Sequence, residues 1–199
     1  EELSKKISQY SGEIALSFEL LDEKLHRYAV AFSPSDVYLI HSAQMGEWAQ
    51  NPKVSKIAHD AKSLARENLL DGVVFDTALA AYLVNPGVRA QELPDLLERW
   101  GDGAQIDSSS PEQTLISSAA ALFKLRDSLL TEMKDRGVLA LFTDLELPIA
   151  HLLAVMENRG IAVDRKELEK LAVFFEGEVA RETKAAHQAA GHEFNVASP

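Results

Sequence analysis

Apolar and polar residues alternate along the segment EIALSFEL, residues 13–20. Ile14, Leu16 and Phe18 share one face, and the opposite face carries Ser17 and Glu19. Alternation with a period of two indicates a half-buried β-strand. Ser17 and Glu19 stand two residues apart, the spacing at which one strand can present two side chains to the same site.

Four more short apolar segments have the length and composition of strands: residues 27–34, 36–43, 55–59 and 72–76. The segment DAKSLARENLL at residues 60–70 separates the last two and is rich in helix formers, and we expect Asp60 to be its N-cap. Because strands and helices alternate here, the first half of the chain predicts an α/β fold with a mixed sheet of about five strands.

Helical patterns dominate from Asp76 onward, where a carboxylate precedes the segment TALAAYLV. Further helices are predicted over residues 92–101, 110–137, 143–160 and 164–191. Ser110 precedes a proline, a favoured helix start. Thr143 with Glu146 has the spacing of a capping box, and Asp164 with Glu167 is an acidic variant of it.

The change from strand to helix patterns places a domain boundary at 142/143, and we expect the last two helices to form a separate unit. The last helix repeats apolar residues at spacings of three and four: Leu168, Leu171, Phe175 and Val179. We expect this face to be exposed unless another segment covers it.

Composition and charge exclude some functions. The chain has 199 residues and no cysteine, so neither a disulfide framework nor a thiolate metal site is available. A formal net charge of −11 opposes the basic surface typical of duplex DNA binding, so any nucleic-acid contact must be local or supplied by another part of the protein. No uninterrupted apolar run approaches the roughly 18 residues of a membrane span, and we expect no membrane contact.

Several segments together resemble the family A DNA polymerases, the bacterial DNA polymerase I type. LELPIAHLLAVMENRGIAVD at residues 145–164 is similar to the helix that opens the family's polymerase region. FDTALAAYLVNPG at residues 75–87 and ELPDLLERW at residues 92–100 are similar to helices of its 3′–5′ exonuclease domain. The end of the chain matches a Phe-Asn-x-x-Ser-Pro element at the thumb entry, which would make Asn195 and Ser198 DNA-binding residues.

The resemblance implies an exonuclease-like domain of the RNase H-like type over residues 1–142. The first helices of the polymerase domain follow over residues 143–199. The palm, which carries the nucleotidyl-transfer carboxylates and their Mg²⁺, would lie beyond residue 199. We therefore expect no cofactor in this part of the protein and no polymerisation by it alone.

The resemblance also locates the acids that bind two metal ions in active members. Ser17 stands where the first strand would carry Asp, and Glu19 is the remaining acid of that Asp-x-Glu motif. Leu64 and Ala119 stand at the two other aspartate positions. Because a two-metal nuclease needs several carboxylates around its ions, these replacements predict a catalytically inactive exonuclease-like domain without metal ligands.

Other interpretations stay open. A 3′–5′ exonuclease could survive by using Glu19, Asp60 and further acids, or the domain could bind single-stranded DNA without metal. Asp60 and Asp76 are more simply helix caps, and Trp48 and Trp100 are more simply core residues than platforms for bases. The main hypothesis is a structural domain of a DNA polymerase I that acts in bacterial DNA replication and repair. It implies DNA and the rest of the polymerase domain as partners, and the cytoplasm, at the nucleoid, as location.

Overall fold

A computed structural model describes residues 2–68, 70–88 and 92–197 of the chain. The chain forms two compact units, Glu1–Arg159 and Gly160–Pro199. The first unit contains a five-stranded mixed sheet with helices on both faces. The second is built on one long helix.

The sheet contains all five predicted strands: β1 Ile14–Leu21, β2 Lys24–Ser33, β3 Asp36–Ile40, β4 Lys56–Ala58 and β5 Val73–Asp76. Their spatial order is β3-β2-β1-β4-β5. The first three strands form an antiparallel meander, whereas β4 and β5 run parallel to β1. The predicted α/β fold with a mixed sheet is therefore confirmed.

A two-residue turn joins β1 to β2, and both of its residues have positive φ angles: 50° at Asp22 and 63° at Glu23. Two left-handed residues are what a tight hairpin turn requires, and Asn-Gly is the usual pair there. Asp tolerates this conformation better than Glu does, so Glu23 is the strained position. The sequence pattern did not reveal this turn because neither residue is glycine.

The helices of the first unit are α1 Glu2–Gln9, α2 Ala61–Asn68, α3 Thr77–Val84, α4 Leu93–Trp100, α5 Pro111–Asp135, α6 Leu139–Leu141 and α7 Leu147–Arg159. A short 3₁₀ turn, Glu47–Gln50, precedes β4. Helix α1 was not predicted, because its eight residues are mostly polar and only Ile7 is buried.

Each face of the sheet carries its own apolar cluster. On one side α3, α4 and α5 cover Ala15, Ala29, Ala31 and Ile57. On the other side α1 and α2 cover Ile14, Leu16, Val30 and Ala58. Neighbouring residues of β1 thus belong to opposite clusters, as the period-two pattern predicts. Trp48 is buried in the second cluster, and Trp100 is half-buried against the first.

Helix α5 begins as predicted, since the Ser110 hydroxyl accepts a hydrogen bond from the Gln113 N–H at 3.1 Å. Its 25 residues bury a stripe that includes Leu115, Leu122 and Leu129 against the sheet. Its first turns meet the middle of β1, which positions the cleft described below.

The capping box predicted at Thr143 is wrong. Helical structure runs without interruption over Leu139–Arg159, and the Thr143 hydroxyl hydrogen-bonds the Ala140 carbonyl and Asp144 within it. Its middle part, Phe142–Glu146, has the wider π-helical spacing. Pro148 lies two residues after this segment, and its missing N–H and its ring account for a local widening of the helix.

Leu139–Arg159 belongs to the first unit, so the last two helices do not form one separate unit. By length and average hydropathy alone, this stretch could cross a membrane. The search for uninterrupted apolar runs did not find it, because polar residues interrupt the stretch. Packed helices of globular proteins meet the same length and hydropathy criterion. Here α7 packs against α2 and buries Ala154. The domain assignment at 142/143 stays a prediction, as does the absence of membrane contact.

The second unit consists of α8, Arg165–Ala190, and the residues around it. Asp164 caps α8 by accepting hydrogen bonds from the N–H groups of Lys166 and Glu167, and Gly191 ends it with a φ of 74°. The predicted exposure of its apolar face is confirmed, because Leu168, Leu171, Phe175 and Val179 are 42–64% exposed.

Candidate functional site

A cleft of about 410 Å³ opens where the middle of β1, the end of β4 and the first turns of α3 and α5 meet. Its polar lining consists of Ser17, His59, Asp60, Glu92, Thr114 and Ser118. Its apolar wall consists of Leu16, Phe18, Ala78, Leu93, Leu115 and Leu122. Ser17 of β1, which stands at the predicted metal-binding position, lines this cleft.

Ser17 is buried, and its hydroxyl donates a hydrogen bond to the Leu115 carbonyl of α5 at 2.6 Å. The hydroxyl proton is therefore committed to the backbone. A neutral side chain that donates in this way connects β1 to α5 and is a poor ligand for a cation.

Glu19 is paired with Arg27, its cross-strand partner in β2. The Arg27 Nε and Nη2 atoms lie 2.5 and 3.1 Å from the two carboxylate oxygens of Glu19. Arg27 Nη1 lies 2.5 Å from Glu112 Oε1, in the first turn of α5. The hydrogen bonds from Arg27 lower the pKa of the Glu19 carboxyl, so it is ionised at neutral pH.

Leu64 and Ala119 are both fully buried, and they belong to different apolar clusters. Leu64 packs in the cluster that α1 and α2 cover, and Ala119 packs in the cluster beneath α5. The structure therefore does not bring Ser17, Leu64 and Ala119 together as neighbours in one apolar patch. A carboxylate at either buried position would need both a rearrangement and a counter-charge.

Asp76 caps two helices. Its carboxylate accepts the N–H groups of Ala78 and Leu79 at the start of α3, as predicted. It also accepts the N–H groups of Asp60 and Ala61, at 3.2 and 2.8 Å, at the start of α2. Burial raises the pKa of Asp76, which these hydrogen bonds oppose.

The predicted N-cap role of Asp60 therefore belongs to Asp76. Asp60 has a positive φ of 54°, outside the extended conformation of an ordinary N-cap. Its own carboxylate is held by the Ser63 hydroxyl. Asp60 therefore lines the cleft with a carboxylate that is already bound to Ser63.

His59 lies at the end of β4 beside this capping centre. Its Nδ1 atom is 2.9 Å from the Thr77 hydroxyl, and burial lowers the pKa of the imidazole. At neutral pH the ring is therefore uncharged, which suits a packed position better than a phosphate-binding one.

The residues present do not fit the pair of metal ions that the RNase H-like nuclease fold implies. Ser17 donates to a carbonyl, and both oxygens of Glu19 are bound to a guanidinium. Within residues 2–68, 70–88 and 92–197, no group of three or more His, Asp or Glu side chains has the arrangement of a metal site.

The predicted DNA-binding residues lie in the second unit. The Asn195 side chain accepts a hydrogen bond from the Ala197 N–H at 3.1 Å, which stabilises a local turn. Ser198 lies outside the described residues.

Two basic residues with buried contacts were missed by sequence analysis. Arg27 looked like an ordinary polar position at the edge of a strand, and only the pairing of β1 with β2 places it at Glu19. Lys56 is fully buried, and its Nζ donates to the carbonyl oxygens of Asn51, Val54 and Asp71 at 2.7–3.0 Å. The sequence signal for a buried lysine was its position in the short strand KIA, whose other two residues are apolar.

Comparison with known proteins agrees with this architecture. The family described as DNA polymerase I, ribonuclease H-like domain, matches residues 9–108. DNA polymerase I of Bacillus subtilis is 28% identical over 96% of the chain, and that of Mycobacterium bovis is 33% identical over 79%. The chain spans 23% and 20% of the length of these two relatives.

Among solved structures, the POL domain of Pol1 from M. smegmatis, in complex with DNA primer-template and dNTP, matches with a TM-score of 0.84 and 31% identity. The match covers all of this chain and 38% of that one. Escherichia coli RNase D, an exoribonuclease, matches with a TM-score of 0.61 at 15% identity over 81% of this chain and 48% of its own, which shows a shared fold. The chain belongs to the bacterial DNA polymerase I family and carries its ribonuclease H-like domain.

Proposed function

We propose that this chain is the part of a bacterial DNA polymerase I in which the exonuclease-like domain has become structural. It supports the polymerase domain during DNA replication and repair and does not remove nucleotides from a 3′ end. The observation that carries the proposal is the state of Glu19, the last acid of the predicted metal motif, whose two carboxylate oxygens are both bound to Arg27.

The other acids around the cleft favour the same conclusion. Asp76 is buried beneath four backbone N–H groups, and Asp60 is held by Ser63. Metal-dependent phosphodiester hydrolysis requires carboxylates that are free to bind ions which activate water and stabilise the leaving oxygen. Acids that already cap helices or close a local turn cannot serve as such ligands without loss of structure.

Exposed apolar side chains favour a role in supporting the polymerase domain. Along Leu139–Arg159, the side chains of Leu145, Leu152 and Met156 are 47–56% exposed. In the second unit the apolar face of α8 is also exposed. Exposed apolar surface of this extent is characteristic of an interface. We assign it to contact with the remainder of the polymerase domain.

DNA is the proposed partner of the whole protein, since the M. smegmatis relative was solved in complex with DNA primer-template and dNTP. With a net charge of −11, this chain would contribute little attraction for DNA by itself. We place the Mg²⁺ requirement in the palm of the polymerase domain and the protein in the cytoplasm, at the nucleoid.

The test is release of nucleotides from a single strand labelled near its 3′ end, measured in Mg²⁺ and in EDTA. The expected result is no Mg²⁺-dependent release by the unmodified chain. Release that disappears in the Glu19→Gln variant would establish the rival 3′–5′ exonuclease instead. Retention of the labelled strand without release, weakening steeply with salt, would favour a single-strand binding module.

A further inference from the structure

We propose that Arg27 is a permanent internal cation that takes over, between β1 and α5, the charge-balancing role of a metal ion. The inference rests on the proposed loss of metal-dependent nuclease function and adds the group that replaced the ion. In this proposal Glu19 remains an acid because Arg27, rather than a metal ion, is its partner.

The contacts of Arg27 are those of a cation held between two carboxylates. Its guanidinium binds both oxygens of Glu19 and one oxygen of Glu112, so three of its nitrogen atoms are engaged. The Arg27 side chain is only 13% exposed. A planar guanidinium suits such bidentate pairing, and it stays protonated at any physiological pH.

Charge explains why a cation is needed here. Glu19 lies on β1 and Glu112 on α5, and the negative charge of Glu112 opposes, without reversing, the lowering of the Glu19 pKa by Arg27. Two partly buried carboxylates without a cation would repel each other and push α5 away from the sheet. Arg27 reverses the sign of that interaction and leaves one net negative charge on the three groups.

Arg27 also links secondary-structure elements, as a bound metal ion would. Through its two partners it connects β1, β2 and the first turn of α5. The hydrogen bond from Ser17 to the Leu115 carbonyl connects β1 to the next turn of α5. A metal bound between strand and helix would join the same elements, and here side chains alone do so.

The experiment compares thermal unfolding of the whole chain in EDTA with unfolding in millimolar Mn²⁺ or Mg²⁺. Arg27→Gln leaves Glu19 and Glu112 without their cation, so we expect its Tm to fall by several degrees in EDTA. A divalent ion should then bind the two freed carboxylates and restore at least half of that loss, since ligands of the native state raise stability by mass action. The unmodified chain should show no such rise.

Three control variants test whether the loss of the Arg27 charge causes the response to divalent ions. Arg27→Lys keeps the charge and should not respond to Mn²⁺. The double variant Arg27→Gln with Glu19→Gln lacks one carboxylate and should not respond either. Arg136→Gln removes an exposed arginine that pairs with Glu132 on one helix, and it should leave the ion response unchanged.

An Arg27→Gln chain whose Tm loss is the same with and without divalent ion overturns the proposal, as does an Arg27→Lys chain that responds like Arg27→Gln. If Arg27→Gln does not fold in EDTA, its circular dichroism in Mn²⁺ decides the question, because recovery of the folded signal is expected and its absence contradicts the proposal. None of these readouts is nuclease activity. Nucleotide release by the unmodified chain would refute the proposed function independently of them.

Discussion

The backbone N–H of Ala61 donates to the buried carboxylate of Asp76 at 2.8 Å, so that one side chain caps both α2 and the helix that it begins itself. Replacing Asp76 with alanine would leave four backbone N–H groups without their acceptor. Because each unsatisfied buried group costs about 1–3 kcal/mol, we expect Asp76→Ala to lower the free energy of unfolding by about 3 kcal/mol or more.

Ser110→Ala is the matched control, since Ser110 caps a single helix through one hydrogen bond. Loss of an ordinary N-cap costs about 1 kcal/mol. Urea unfolding of the two variants measures both values. Equal losses would show that Asp76 acts on α3 alone.

Lys56 joins the loop before β4 to the segment before β5 by donating to three carbonyl oxygens. A Lys56→Met variant keeps most of the side-chain volume but leaves those carbonyls unsatisfied. We therefore expect the free energy of unfolding at pH 7 to fall by about 3 kcal/mol or more, measured by urea unfolding. An unchanged midpoint would mean that water replaces the ammonium without loss.

The same lysine predicts a pH dependence. Burial lowers the pKa of Lys56 to about 8 in the folded chain, whereas an unfolded lysine titrates near about 10.4. Between these values the unfolded chain binds more protons, so the contribution of Lys56 to stability increases as the pH rises from about 8 to about 10.

The measurement is the difference in unfolding free energy between the unmodified chain and Lys56→Met, taken across that pH range. Lys124, which is exposed and paired with Asp102, is the control. Its pKa is raised by the hydrogen bond to Asp102, so the Lys124→Met difference should not grow between about pH 8 and about pH 10 and should shrink only above the unfolded lysine pKa of about 10.4. A Lys56 difference that falls with pH contradicts the prediction.

Glu23 has a φ of 63° in the turn between β1 and β2. Glycine adopts this conformation without strain, so Glu23→Gly should stabilise the chain by about 0.5–1 kcal/mol. Differential scanning calorimetry would detect this as a higher Tm. Lys24→Gly, at the first position of β2, should lower the Tm instead, because glycine loses more conformational entropy on folding than lysine.

Restoring one acid should not restore nuclease activity. Ser17→Asp recreates an Asp-x-Glu pair, but it removes the hydrogen bond to Leu115 and brings a carboxylate against that carbonyl. Glu19 would still be bound to Arg27. We expect no Mg²⁺-dependent release of nucleotides from a 3′-labelled strand by this variant.

The triple variant Ser17→Asp, Leu64→Asp and Ala119→Asp supplies all three acids, but two of them at fully buried positions. We expect several kcal/mol of destabilisation, visible as loss of the folded circular dichroism signal before any activity is gained. A folded and active triple variant would show that the buried positions open readily to the cleft.

Much of the fold followed from local pattern. All five strands and the starts of α3, α5 and α8 were predicted, because alternation and capping residues such as Ser110 and Asp164 act over a few positions. The capping box at Thr143 failed because the preceding helix continued through it. A local motif cannot reveal whether the backbone before it is already helical.

The candidate site was less predictable because its contacts join distant segments. Arg27 and Glu112 are separated by 85 residues, and Asp76 caps a helix that begins 15 residues before it. Such pairs depend on strand register and on the packing of α5, which no short window contains. The resemblance predicted which acids would be missing, and the sequence gave no sign of the arginine that binds Glu19.

The continuous helical stretch Leu139–Arg159 has a consequence for how this protein can be divided. The boundary predicted at 142/143 lies inside that stretch, and α7 beyond it packs against α2. A fusion or truncation made at residue 142 would remove the helix that covers Ala61 and Ala65 and expose the pocket that they line. Recombination between relatives should therefore succeed after residue 159, where the first unit ends, more often than at residue 142.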